Sequence, residues 1–190
     1  MDSREVNKEI RASVRPVLKA AGFTKFTARV AWRKVSERVD VVSIQSFNSY
    51  NAGVLGCTTY SFAVRLGCYL LGLPPAPLWG QFPGPKGELP QEWNCHFRGH
   101  LERTFQQSEL DRREIWYIDP DGRHLQKAIH DVRTGLLREA LPWFERLSDR
   151  REVLHVLREQ DMTDRLWGFG AKGSPARNFL LENLQRDDAA

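Results

Sequence analysis

Cysteine is scarce in this chain: Cys57, Cys68 and Cys95 are the only three in 190 residues, an odd number with no close pair. That argues against a disulfide framework and against the closely spaced thiolates of a structural zinc site. The start, MDSREVNKEI, lacks the apolar core of a signal peptide, and with the cysteine usage this predicts a cytoplasmic protein. Long apolar runs are missing too. The most apolar stretch, around Cys68 to Trp79, is broken by Gly72, Pro74, Pro75 and Pro77 and is too short for a bilayer, so no membrane span is expected. The net charge of +4 comes from 21 Arg and 7 Lys with no basic cluster interleaved with aromatics, which argues against a nucleic-acid partner.

Catalytic and cofactor signatures are equally sparse. In GFGAKGSP, Gly168 to Pro175, Gly173 separates Lys172 from Ser174 and no strand precedes them, so the succession a nucleotide loop needs is broken. Cys95, His96 and His100 are good zinc ligand types. On a strand, however, Cys95 and His96 point to opposite faces, and His96 and His100 lie about 13 Å apart, too far to share one ion. Cys68 and Cys95 fall on the predicted core face, where a thiol is a small hydrophobe. No cofactor and no metal are expected.

What is present is a strong strand signal from Val39 to Leu71, read as two long strands joined by a polar, glycine-bearing loop. In its second half Phe62, Val64, Leu66, Cys68 and Leu70 alternate with Ala63, Arg65, Gly67 and Tyr69. Before it, residues 3–21 show helical spacing of Val6, Ile10, Val14, Val17 and Leu18. Asp2 and Glu5 fit a capped start, Pro16 marks a kink and Gly22 a stop. Ala28 to Val35 and Asn94 to Leu101 read as further strands, and Ile115 to Ile118 as a short one. After the Asp119-Pro120-Asp121-Gly122 turn, the spacing predicts helices carrying Leu125, Ile129, Val132 and Leu136, then Leu141 and Phe144, then Val153 and Leu157 after a Ser148 cap. A last helix follows the Ser174-Pro175 pair.

Strands first and helices later predict an α+β fold. The expected architecture is an antiparallel sheet of about five strands with an N-terminal helix and C-terminal helices packed on one face. We expect one domain over 1–190, with a Pro/Gly-rich excursion over 72–90 and a C-terminal helical extension over 148–186. Six of the ten prolines fall in that excursion, and its Leu78, Trp79 and Phe82 predict that it folds over an edge of the sheet and buries Trp79.

The segments PVLKAAGF at Pro16 to Phe23, SIQSFNS at Ser43 to Ser49, FAVRLGCY at Phe62 to Tyr69, CHFRGHL at Cys95 to Leu101, IWYI at Ile115 to Ile118 and ALPWF at Ala140 to Phe144 occur in an order that resembles the bacterial family called domain of unknown function 4304. The resemblance spans Pro16 to Phe144. It implies one α+β domain and a bacterial source, and it carries no catalytic residue with it. Arg65 and His100 stand where such sequences more often have Asn and Arg.

The sheet face opposite the helices is the remaining place for function. The strand assignments put Arg29, Arg33, Gln45, Phe47, Arg65, Tyr69, Asn94, His96, Arg98 and His100 there, a cationic set without an acid, whereas solvated faces usually mix signs. The expectation is a non-catalytic binding or interaction protein, possibly of the immunity type, that uses Gln45, Arg65, Tyr69, His96, Arg98 and His100 to hold an acidic protein or an anionic small molecule. The charge of such a face would rise below about pH 6.5 as the histidines protonate. The alternatives are an enzyme acting on an anionic substrate with His96 or His100 as acid or base, and weak nucleic-acid binding.

Overall fold

The computed structural model describes residues 1–74, 88–159, 165–166 and 171–186. Its sheet is antiparallel and follows the chain: β1 (Lys25–Phe26), β2 (Val30–Val35), β3 (Arg38–Ser46), β4 (Phe62–Leu70) and β5 (Phe97–His100) lie side by side. A short β6 (Ile115–Trp116) pairs with the first residues of β4, on the side that β5 occupies further along. All the longer helices gather on one face, so the fold is α+β, as the order of strands and helices predicted.

Period-two alternation decides what each face does. Val42 and Ile44 of β3, Phe62, Val64, Leu66 and Cys68 of β4, and Phe97 of β5 point to the helices and are buried in the main core. They meet α1 (Ser3–Glu9), α2 (Arg15–Ala20), α4 (Leu125–Gly135), α5 (Leu141–Arg146), α6 (Arg150–Glu159) and α7 (Pro175–Arg186) through Val6, Leu18, Ile129, Val132, Phe144, Val153 and Leu180. The Asp2 carboxylate accepts from the Arg4 and Glu5 backbone N–H groups, and the Glu5 carboxylate accepts from Asp2 N–H at 2.7 Å, closing the expected capping box. Gly22 ends that helical stretch at φ +87°.

Pro16 acts as a kink would, by a specific route. Lacking an N–H, it cannot serve the carbonyl one turn back, and the chain widens into a π turn over Ile10–Val14 between α1 and α2. Pro142 sits in the same relation to a second π turn, Leu136–Ala140, between α4 and α5.

Several expectations need correction. The loop between β3 and β4 holds a short helix, α3 (Ser49–Leu55), capped by the Asn48 side chain and ended by Gly56 at φ +71°. It lies on the outer face, away from the other helices, where Ala52 packs with Phe47, Ala63 and Ile115. The cap of α6 is Asp149, whose carboxylate accepts from the N–H groups of Arg151 and Glu152; the Ser148 hydroxyl instead accepts from Arg38. Cys95 follows a 3-10 turn, Glu92–Asn94, that puts it out of phase with Phe97, so it packs on the outer face with Trp32, Val39, Val41 and Tyr69. Leu78, Trp79 and Phe82 lie outside the described residues. Of that stretch, Leu89 packs on the outer cluster and the Pro90 carbonyl accepts from Trp32 Nε1 at 2.7 Å.

Candidate functional site: an open strip across the outer face

The outer face of β4 reads Ala63, Arg65, Gly67, Tyr69, and Arg65 alone among these four is not buried. Size explains why. Ala63 and Gly67 are small enough for covering segments to close on them from either end. A Cβ on Gly67 would stand 2.6 Å from Cys95 Sγ and 3.2 Å from Glu92 Cα, so the 3-10 turn rests directly on the backbone there. Over Ala63 lie α3 and Leu110. Between these covers, about 13 Å apart along the strand, Arg65 reaches the surface.

Register extends this opening sideways. Val30 pairs with Ser43, Ser43 with Arg65 and Arg65 with His100, so four partly exposed side chains form one row across four strands. The row spans about 14 Å. Gln45, exposed beside it, accepts from Arg65 Nε at 3.4 Å.

Acids surround the row, contrary to the acid-free face expected. Arg98 faces outward as alternation required, but its Nε donates to Glu92 Oε1 at 2.6 Å. Glu102 lies 3.8 Å from His100 Nε2, 3.8 Å from Arg113 Nε and 3.9 Å from Arg165 Nε. Arg165 also pairs with Glu139, and its backbone carbonyl accepts from His100 N–H at 3.0 Å. Only Arg65, of these arginines, has no carboxylate within 4 Å among the described residues.

Two of the six predicted site residues are closed off. His96 is 4% exposed and its ring lies 4.6 Å from that of Tyr69, itself buried. Its Nδ1 accepts from Leu70 N–H at 3.0 Å and its Nε2 faces the Pro74 carbonyl at 3.0 Å, a pattern that fits the neutral ring with the proton on Nε2. Burial pushes the His96 pKa down. That of His100 is lowered as well, by burial first and then by Arg65. The face therefore gains its histidine charge at lower pH than free imidazoles would. Gln45, Arg65 and His100 are brought together in the open strip; Arg98 stands at its margin.

Arg29 and Arg33, expected on the outer face, belong to the helix side. Arg29 stands among Ile10, Val14 and Leu18. Arg33 and Arg38 grip the fully buried Asp40 from its two sides, through Oδ2 at 2.7 Å and Oδ1 at 2.9 Å. Arg33 also donates to the Ala21 carbonyl and to Glu145. This buried ion group was missed, although a signal existed: Asp40 shares the parity of Val42 and Ile44, so it had to point into the core.

The thiols are free, and burial pushes Cys57, Cys68 and Cys95 above the ordinary thiol range. Among the described residues no three His, Cys, Asp or Glu side chains gather as metal ligands would. No helix there is long and apolar enough to cross a membrane.

A family model described as "Domain of unknown function (DUF4304)" matches residues 14–146, which include the whole sheet and every residue of the strip. No curated protein and no solved structure matches.

Proposed function

The chain belongs to the DUF4304 family, and from the geometry of that shared region we propose a non-catalytic binding protein that takes a carboxylate-bearing partner on the strip across its outer face. Arg65 is the anchor. The observation that carries this reading is its lone charge: the neighbouring arginines each have an acid, and among the described residues Arg65 has only the amide oxygen of Gln45. A guanidinium offers a planar fork of donors, and a carboxylate from outside fits it bidentately.

The surroundings favour a protein over a small anion. Tyr50 and Val54 on α3 are 77% and 70% exposed, and Trp93 on the 3-10 turn is 54% exposed. They stand on the two covers that flank Arg65, and exposed aromatics around a central charge are the composition of a protein interface. A partner protein with a protruding acid would place that acid on Arg65 and rest its apolar margins on Tyr50, Val54 and Trp93. The unbridged cysteines support a cytoplasmic setting. The acid–base reading has less support, because both ring nitrogens of His96 are engaged.

The test uses amide chemical shifts with a polyglutamate peptide as probe and polyglutamine as control. Shifts at Ser43, Arg65 and His100 with polyglutamate alone, lost in Arg65→Gln while the fold is kept, support the reading. Equal shifts with both peptides, or an Arg65→Gln variant that binds like the parent, would overturn it.

A further inference from the structure

The ladder between β4 and β5 ends at the Cys68–Phe97 pair, with the His96 N–H donating to the Cys68 carbonyl at 3.0 Å. Before His96 the chain curls into its 3-10 turn, where the Asn94 and Cys95 N–H groups turn back to the Gln91 and Glu92 carbonyls. Leu70 N–H, the last of β4, is met instead by a side chain: it donates to His96 Nδ1 at 3.0 Å. Across the ring, Nε2 stands 3.0 Å from the Pro74 carbonyl. One imidazole thus ties the end of β4 to the far end of the turn 71–74.

Both bonds need the same protonation state. A neutral ring with its proton on Nε2 accepts at Nδ1 and donates at Nε2, whereas a charged ring donates at both. Protonation sets Nδ1–H against Leu70 N–H, two donors facing each other. It also leaves a cation that is 4% exposed and has nothing to balance it. Tyr69, whose ring lies 4.6 Å away, and Cys95 are neutral. Arg98, two residues along β5, is paired with Glu92; Arg38, opposite Leu70 on β3, is held by Asp40; the Glu37 side chain is exposed. No charged side chain among the described residues acts on the ring.

A ring in that condition must reach water, and the turn is the part that can yield. Leu71 is 41% exposed. Gly72 and Leu73 border a cavity of about 340 Å³ on the helix side of the sheet, shared with Phe97, Val153 and Leu184, so part of the Leu73 side chain has no contact to lose.

We propose that His96 is an acid-sensitive latch: a proton taken from solvent at Nδ1 breaks its hold on Leu70, the turn 71–74 lifts, and Leu73 is uncovered while the rest of the sheet stays folded. It operates whether or not the outer strip is occupied.

Imidazole nitrogen shifts and amide exchange test the latch on the unaltered protein. At pH 7.5 His96 should carry its proton on Nε2. Below the ring's own titration, protection of the Leu70 and Leu73 amides should fall about tenfold per pH unit, the linkage of one proton, while amides of the β3–β4 ladder stay protected. A glutamine amide can accept from Leu70 and donate to Pro74 at any pH, so His96→Gln should remove that fall while His100 still titrates. A proton on Nδ1 at pH 7.5, a loss of protection shared equally by the ladder, or the same fall in His96→Gln would overturn the latch.

Discussion

Gly67→Ala tests the closeness of the cover that leaves Arg65 exposed. The new methyl would meet Cys95 Sγ at 2.6 Å, Cys95 Cβ at 3.0 Å and the backbone of Glu92 at 3.2 Å. Cys95 is fully buried and has no room to turn aside, so the 3-10 turn must lift. Inserting a methyl into a packed contact of this kind costs about 1–3 kcal/mol. Alanine stiffens the unfolded chain and returns about 0.4–1 kcal/mol, so the net effect is a loss. For a chain of this length each kcal/mol moves the melting temperature by about 2–4 °C, within reach of calorimetry. Lifting the turn also strains the bond from Trp32 Nε1 to the Pro90 carbonyl, so tryptophan fluorescence should shift in the folded state. Cys95→Ala removes the nearest atom, and the double variant should recover part of the loss, with a coupling energy of about 0.5–3 kcal/mol. A Gly67→Ala protein as stable as the parent, or a strictly additive pair, would refute this account of the cover.

Three further outcomes can be measured by urea unfolding. His96 and His100 have folded-state pKa values below the ordinary 6.5, so the unfolded chain takes up their protons first as the pH falls; stability is complete above 6.5 and declines below it, and His96→Gln should flatten that decline between pH 7.5 and 5.5. Asp149→Ala removes the cap of α6 and should cost about 1 kcal/mol at neutral pH. Burial holds the Asp40 carboxyl above its usual range against the pull of Arg38 and Arg33, so its ionisation weighs against the fold as the pH rises. Arg33→Met removes one of those attractions, and the stability lost should be larger at pH 7 than at pH 4; an equal loss at both would mean that Arg33 acts by packing on Phe23 and Phe144 alone.

Strand alternation carried most of the fold. It set the inward residues of β4, the outward direction of Arg98 and the ladder between β3 and β4, because a one-residue slip would have moved Val64 and Leu66 out of the core. Alternation assigns a side but not an exposure. His96 and Tyr69 are on the predicted side yet buried, because a cover arrives from residues 88–95, which have no periodicity to read. The acids that answer Arg98 and His100 were equally hidden. Glu92 belongs to an irregular turn, and Glu102 follows the end of β5. Helix α3 is too short to show a stripe, and it holds through Ala52, Asn48 and Gly56. In Ala63, Arg65 and Gly67 the sequence did contain a usable sign: a long side chain between two small ones marks the place where covers stop.

Gly99 has a consequence for how the chain can be divided. A Cβ there would stand 3.0 Å from Leu166 Cα and 3.1 Å from the Arg165 carbonyl oxygen, so these two residues lie against the margin of β5 and Arg165 takes up the His100 N–H. Both come from beyond residue 146, where the family match ends. Val153, Val156, Leu157, Leu180 and Leu184, all in the main core, come from beyond it as well. A fragment cut to residues 14–146 would keep the sheet and the strip but expose an unpaired strand margin beside bare core side chains, the combination that drives chains to aggregate edge to edge. The family-matched segment is thus covered in part by its C-terminal neighbour, and expression trials that trim to the match should give a larger insoluble fraction than the full chain.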